Sequence, residues 1–343
     1  MVALVRALVL TEHGAPEVLR VEQRPDPIPG PGEVRIAVRA AGVNFAELMA
    51  RMGVYPDAPK PPCVLGYEVA GEVEAVGDGV EGVSAGDRVI SGCRFGGYAE
   101  LVAVRADQLV PLPSDWSFEE GAGLPVNYAT AYAGLVRYGS LHDGERVLLH
   151  AAAGGVGIAA TQIAKLLGAE VFGTASASKH DAIRGFGVDH AIDYRSESFV
   201  KAVRRTTGER HALDLVMDAV GGRSYRQSYS LLRAGGRLVC FGASSIVQGE
   251  RRSIPAAVKG LAQTPWFNPL RLASASKAVI GLNVLTLWDS KGSLDELVGP
   301  LREWMDAGKV RPVVAEAFPL ERGRDAHRFV AERRNVGKVV LTL

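Results

Sequence analysis

The chain has 343 residues, 47% of them apolar and 22% charged, with a formal net charge of +1. That length favours two domains over a single core, and the near-neutral balance points away from nucleic acid and anionic membranes as partners. No apolar run reaches the roughly 18 residues of a membrane span, and three scattered cysteines, Cys63, Cys93 and Cys240, fit free thiols in a reducing cytoplasm.

The N-terminal MVALVRALVL is interrupted by Arg6 and no cleavage-type sequence follows, so it reads as a first strand and not as a leader. Residues 7–10, 18–21, 34–38, 68–76 and 87–90 are strand-like. Pro25, Pro27, Pro29, Gly30, Pro31 and Gly32 break the chain between the second and third. Many short strands with turns between them predict a compact barrel-like domain. Residues 44–51 are the one good helical interval in this half. From Ser117 to Tyr138 the pattern turns helical, and Ser117 with Glu120 makes a capping box.

Residues 145–194 read as strand, glycine turn, helix, strand, helix, strand. Val147, Leu148 and Leu149 have strand length. Gly154, Gly155 and Gly157 lie in a tight turn, and residues 158–167 form an alanine-rich helix that Gly168 stops. Such a turn lets backbone N–H groups and a helix N-terminus approach a pyrophosphate without side chains in the way. Ala152 stands where the first glycine of a G-x-G-x-x-G pattern would be, so the β-turn-α-β context carries this dinucleotide signal. An NAD site would place Asp or Glu after the second strand, about 20 residues past the glycines. The chain has Gly173-Thr174-Ala175-Ser176-Ala177-Ser178-Lys179-His180 there, without an acid. Hydroxyls and a cation suit a 2′-phosphate, which predicts NADPH.

Further on, 215–220 and 237–241 read as strands, each followed by glycine. Residues 246–276 have little pattern. Within them Trp266 and Phe267 leave a lid, a substrate wall, an oligomer contact and ordinary packing open, with packing the default. Residues 278–287 read as the last strand of the sheet, and 294–305 as a helix with Leu294, Leu297, Leu301 and Trp304 on one face. A strand at 313–318, a helix at 322–333 and a strand at 338–343 close the chain.

These residues carry a resemblance. Ala40-Ala41-Gly42-Val43-Asn44, GYEVAGEVEAVGDGV from Gly66, AGDRV from Ala85, GGYAE from Gly96 and AAAGGVG from Ala151 resemble the medium-chain dehydrogenase/reductase superfamily, and within it the quinone oxidoreductases. NFAELMARMGVY, VNYATAY, GTASASKH and NVGKVVL look like the vesicle amine transport protein homologue branch. The resemblance covers essentially the whole chain. It implies an α/β protein with a GroES-like, β-rich catalytic domain at 1–125, a Rossmann doubly wound parallel sheet at 126–287 and a return to the catalytic domain at 288–343. It also implies a homodimer, in which the apolar edge strand 278–287 pairs with its two-fold mate.

Zinc enzymes of the superfamily have Cys where this chain has Asn44 and His where it has Tyr67. Neither replacement is a usual zinc ligand, and the cysteine-rich lobe of a structural zinc is missing, so no metal is expected. Without a Lewis acid, an acceptor whose charge is delocalised is the natural substrate. Asn44 and Tyr55 are the polar groups expected at the reacting centre, with Thr130 beside them and Asn127 as a further pocket position. Met49 replaces a Tyr of related reductases. For the cofactor, the resemblance implies Ala153, Gly154, Gly155 and Val156 at the pyrophosphate. It implies Ser176, Lys179 and Tyr194 around the 2′-phosphate and adenine. Phe241, Gly242, Ala243, Ser244, Leu282, Asn283 and Val284 fall near the nicotinamide, and Asn335 and Lys338 within reach from the returning chain. The leading expectation is an NADPH-dependent, zinc-independent quinone reductase. An enoyl or enone reductase is the alternative among enzymes, and an NADPH-binding sensor or structural protein the alternative outside them.

Overall fold

Six parallel strands form one sheet of the computed structural model, which describes residues 3–245, 250 and 254–343. Their order is His190–Asp193, Glu170–Ala175, Arg146–Leu149, Leu213–Asp218, Leu232–Cys240 and Ala278–Gly281. The central strands are continuous apolar runs because helices cover both faces. Val147 and Leu149 pack into one cluster while Leu148 packs into another with Phe172 and Val216. The helix Gly155–Leu166 crosses from the strand Arg146–Leu149 to its neighbour Glu170–Ala175, and Gly168 at φ +77° terminates it in the left-handed region that favours glycine.

The β-rich half centres on the long strand Glu33–Val43. It pairs antiparallel with Glu68–Val76, with Leu101–Arg105 and with Lys338–Thr342. The last strand of the chain thus lies beside one of its first, after some 300 intervening residues. Arg88–Gly92, Leu109–Pro111 and Val314–Pro319 complete this seven-stranded sheet. Leu4–Leu10 is indeed a strand, in a separate three-stranded sheet with Leu19–Pro25 and Cys63–Val64. Among the described residues no helix is long and apolar enough to cross a membrane.

Three expected elements differ. The strand expected over 278–287 ends at Gly281, and Val284–Lys291 is a helix. The Asn283 carboxamide oxygen accepts from the N–H of Leu285 at 3.0 Å, and this cap starts a helix that buries Leu285 and Trp288 one turn apart. The short strand still lies at the edge of the parallel sheet. The helix expected over 294–305 is split into Asp295–Val298 and Arg302–Asp306 by a 3-10 turn at Pro300, which has no N–H to donate. The helical stretch from Ser117 divides into Phe118–Gly121 and Pro125–Tyr132, and its capping box is present, with Glu120 N–H donating to Ser117 Oγ at 3.2 Å.

Two helices, Ile254–Gln263 and Pro269–Ala275, occupy most of the segment that had no readable pattern, of which 246–249 and 251–253 lie outside the described residues. Phe267 packs against Tyr229 with ring centroids 5.3 Å apart, whereas Trp266 is 94% exposed.

Two histidines are buried neutral. Burial, reinforced by Arg51, pushes His327 down to about 3. Burial also lowers His150, against the opposing pull of Asp218. In the unfolded chain each titrates near 6.5, so the unfolded state binds more protons as the pH falls. Their contribution is complete above about pH 6.5 and is lost towards the folded-state values. For His327 alone the loss is about 2 kcal/mol by pH 5. Thermal melts between pH 7 and 5 are expected to show this slope, and His327→Leu is expected to flatten it. An unchanged slope in the variant would remove His327 from the account.

Candidate active site

A cleft of about 1140 Å³ runs along the carboxyl ends of the parallel strands and on to the β-rich half. His150, Ser176, Ala219, Phe241 and Leu282 line it, each just past the end of a different strand of the sheet. Every residue assigned to the reacting centre or the cofactor from sequence lines this one cleft.

Ala153, Gly154, Gly155 and Val156 form its floor at the start of the helix Gly155–Leu166. The glycines are needed for space. A Cβ on Gly155 would come within 2.4 Å of Asn127 Nδ2, and one on Gly157 within 2.4 Å of Ala151 O. Asn127 is held in turn by donating to Gly123 O at 3.0 Å. The returning chain docks on the same turn, with Gly337 N–H donating to Ala153 O at 2.9 Å. A helix N-terminus with close-approach glycines in a cleft fits a pyrophosphate.

One end of the cleft is cationic. Ser176 is buried, and Lys179 Nζ donates to Arg333 O at 2.6 Å and Asn335 O at 2.7 Å. Two of its three protons are therefore already engaged by the returning chain. Burial lowers the Lys179 pKa, and Arg195 and Arg333 lower it further, so three cations converge here. Tyr194 lines the cleft beside them, with Arg195 6.0 Å from its ring centroid. Glu197 also lines it, but Arg205 holds its two oxygens at 2.8 and 3.3 Å. Arg333 carried no motif in the sequence. Its exposure to this site depends on the chain's return.

At the other end Phe241, Gly242, Ala243, Ser244, Leu282, Asn283 and Val284 line one wall. Asn283 Nδ2 donates to Asp57 Oδ2 at 3.1 Å, which ties this wall to the loop carrying Tyr55. Tyr55 is half-buried, and burial and Asp57 push its pKa up to about 12. Thr130 donates its hydroxyl to Val126 O at 2.6 Å, within its own helix, so that proton is not free for a substrate.

Asn44 caps the helix Phe45–Arg51 and sits in a buried polar cluster. Its Nδ2 donates to Glu68 Oε1 at 2.8 Å, and Lys338 Nζ donates to both Asn44 Oδ1 and Glu68 Oε1. Val126 N–H donates to the other Glu68 oxygen at 2.8 Å. Gly42 makes room for this carboxylate, since a Cβ there would lie 2.6 Å from Glu68 Oε1. Glu47, behind it, accepts from the N–H groups of Asn44 and Tyr67. Burial pushes the Glu47 pKa up to about 8, against the pull of Lys338, so its carboxyl keeps its proton at neutral pH. One carboxylate then faces one ammonium. Lys338 and Asn335, expected within reach of a cofactor, both line the cleft; the Lys338 ammonium donates into this cluster, and the Asn335 side chain donates to Gly337 O at 2.8 Å.

Zinc does not fit this arrangement. Asn44 and Tyr67 are poor ligands, and the Lys338 ammonium already lies against Asn44 and Glu68, so a divalent ion there would face a cation. Among the described residues no group of three or more His, Cys, Asp or Glu side chains is placed to hold a metal.

A second buried network lies beneath the glycine turn. His150 bonds Thr174 Oγ1 and Ser228 Oγ, each at 3.1 Å. Asp218 accepts from Ser224 and Ser228 at 2.7 and 2.8 Å, and from the N–H groups of Val220 and Gly221. It locks three strand ends to one another below the cleft. No sequence motif marks it, although His150, Thr174 and Asp218 all stand at or near strand carboxyl ends.

Residues 30–114 match the family described as alcohol dehydrogenase GroES-like domain, and residues 186–341 the one described as zinc-binding dehydrogenase. The human synaptic vesicle membrane protein VAT-1 homolog is 39% identical over 98% of this chain and 86% of its own length. A quinone oxidoreductase of Escherichia coli, solved in complex with NADPH, superposes with a TM-score of 0.85 at 30% identity over 98% of this chain and 100% of that one. The CurK enoyl reductase superposes with a TM-score of 0.86 at 28% identity, over 98% and 99% of the two chains.

Removing the Lys338 cation would leave the Glu68 carboxylate buried and unpaired. Lys338→Met is therefore expected to destabilise the fold by about 3–5 kcal/mol in urea melts, and adding Glu68→Gln to recover much of that loss. A single variant that melts like wild type would show that this pair does not join the two ends of the chain.

Proposed function

Because the chain belongs to the medium-chain dehydrogenase/reductase superfamily, we propose that it is an NADPH-dependent reductase that passes hydride to a quinone without a metal. The observation that carries this reading is the cleft itself. It has a cationic end whose one lining acid, Glu197, is held by Arg205, a glycine-floored helix N-terminus, and Asn44 and Tyr67 in place of the Cys and His of zinc relatives.

Bound there, the nicotinamide cofactor supplies the two electrons and the hydrogen of a hydride. The protein's part is placement. The turn from Ala153 to Val156 and its helix N-terminus hold the pyrophosphate. Ser176, Lys179 and Arg333 hold the 2′-phosphate, and Tyr194 flanks the adenine. The wall from Phe241 to Ser244 and from Leu282 to Val284 seats the nicotinamide, and the contact from Asn283 to Asp57 helps close the mouth against water. Asn44, fixed through both ends of its amide, keeps one N–H for the nicotinamide ribose or the acceptor. The structural similarity to an enoyl reductase supports a second reading, in which the acceptor is a conjugated carbon-carbon double bond.

Dissociation constants for NADPH and NADH test the cationic end. Wild type is expected to prefer NADPH. Lys179→Ala and Arg333→Ala are each expected to weaken NADPH by about 10- to 100-fold, as for loss of a hydrogen bond to a charged group, and to leave NADH nearly unchanged. Ser176→Asp should repel the phosphate. Equal affinity for the two cofactors in wild type would refute this assignment.

Absorbance loss of NADPH with a quinone, and separately with a 2-alkenal, tests the acceptor. Turnover with the quinone is expected to survive treatment with a chelator. Activity that is lost with the metal and restored by zinc would sink the metal-free mechanism. Tight NADPH binding without turnover across the acceptor panel would leave a binding protein.

A further inference from the structure

Two buried hydroxyls of the cleft, those of Tyr67 and Ser245, have no partner among the described residues, and Tyr67 belongs to the β-rich end. It lines the same cavity as Asn44, Tyr55 and Thr130, and only 4% of the residue is exposed. Its hydroxyl is sealed from bulk water and has no hydrogen-bond partner among the described residues. Leaving a buried hydroxyl unpaired costs the fold free energy, whereas Phe at the same position would not.

The rest of the residue is held firmly. Its N–H donates to Glu47 Oε1 at 3.2 Å, and its ring packs on Phe95 with centroids 4.8 Å apart. Gly66 just before it has φ +100°, and a Cβ there would lie 2.7 Å from the Tyr98 ring, so the turn that aims Tyr67 depends on glycine. Burial, the nearby Glu47 and Tyr55 all raise the Tyr67 pKa, so the phenol keeps its proton and is a donor throughout the neutral range.

Its neighbours cannot take this role as readily. The Thr130 proton is spent on Val126 O, and the Asn44 amide, held by Glu68 and Lys338, has a single N–H left, which the nicotinamide ribose also claims. Tyr55 is half-buried on a loop. We propose that the Tyr67 hydroxyl donates its hydrogen bond to the carbonyl oxygen of the acceptor, and that the substrate class is accordingly a carbonyl-conjugated acceptor. This rests on reading the cleft as a reductase site. Hydride adds to one end of the conjugated system, the β-carbon of an enone or one oxygen of a quinone. The π electron pair moves through the conjugation to the distal carbonyl oxygen, the cofactor is oxidised, and water supplies the proton that completes reduction. Tyr67 stabilises the oxygen on which the charge collects and keeps its own proton.

Tyr67→Phe removes only the oxygen. With duroquinone and with 2-cyclohexenone, kcat/KM is expected to fall by about 100-fold, as for loss of an oxyanion donor. The NADPH dissociation constant should not change. The melting temperature should hold or rise, because the orphan hydroxyl is gone, whereas a structural role would lower it. A readout without turnover is the infrared carbonyl band of duroquinone bound to the protein with NADP⁺. It should lie at lower frequency in wild type than in the variant. A variant that keeps kcat/KM within about threefold of wild type, or an identical carbonyl band in both proteins, overturns the proposal while leaving the reductase reading intact. A wild type that binds duroquinone with the shifted band but reduces neither probe refutes the reductase reading and not the contact. A wild type that neither binds nor reduces either probe overturns both.

Discussion

The buried contact of Lys338 with Glu68 and Asn44 is the constraint on which the rest of the site depends. It joins three segments that are distant in sequence: the end of the strand Glu33–Val43, the start of Glu68–Val76 and the start of the final strand Lys338–Thr342. Two of those strand pairings exist independently, but their registers must agree for the ammonium to meet the carboxylate. An unpaired charge at this depth would be far more costly than the pair is favourable, so the two partners have to be present together. Glu68 then fixes the Pro125–Tyr132 helix through Val126 N–H, which carries Asn127 and Thr130 to the cleft.

Charge is distributed along the cleft in a graded way. Cationic character collects at the end near Ser176, where Lys179, Arg195 and Arg333 converge and the lining acid Glu197 is held by Arg205, while Asp193, off the cleft, interacts with Arg195. The middle is backbone, glycine and a helix N-terminus. The far end is mainly apolar and aromatic, with the Lys338–Glu68 pair internally satisfied, Asp57 held by Asn283 and Glu47 protonated. A long anionic ligand with an uncharged reactive end matches that order. Water exclusion at the reactive end is a matter of packing, helped by the tie from Asn283 to Asp57.

Much of this was legible in the chain. The glycine turn was readable because backbone approach to a phosphate admits few residue types, and the apolar runs on either side have the lengths of strand and helix. Gly42, Asn44, Glu68 and Tyr67 stood inside recognisable strings. The misread elements have local causes. At 278–287 the Asn283 cap outweighed an apolar run that suits strand and helix alike, and at 294–305 Pro300 interrupted a sound helical period. Residues 246–276 lacked a period because the helices there are short and keep exposed apolar residues such as Leu261 and Leu270.

By itself the sequence determined the parallel nucleotide-binding sheet, the β-rich half and the absence of zinc ligands at positions 44 and 67. Each of those rests on residues close together in the chain, where spacing alone expresses the geometry. Only the tertiary structure decided that Lys338 pairs with Glu68, that Arg333 joins Lys179, and that the Tyr67 hydroxyl is left without a partner among the described residues. Those facts depend on where the returning chain and a loop end up relative to residues up to about 270 positions away. Partner choice at such separations is set by strand register and burial, which no local pattern records.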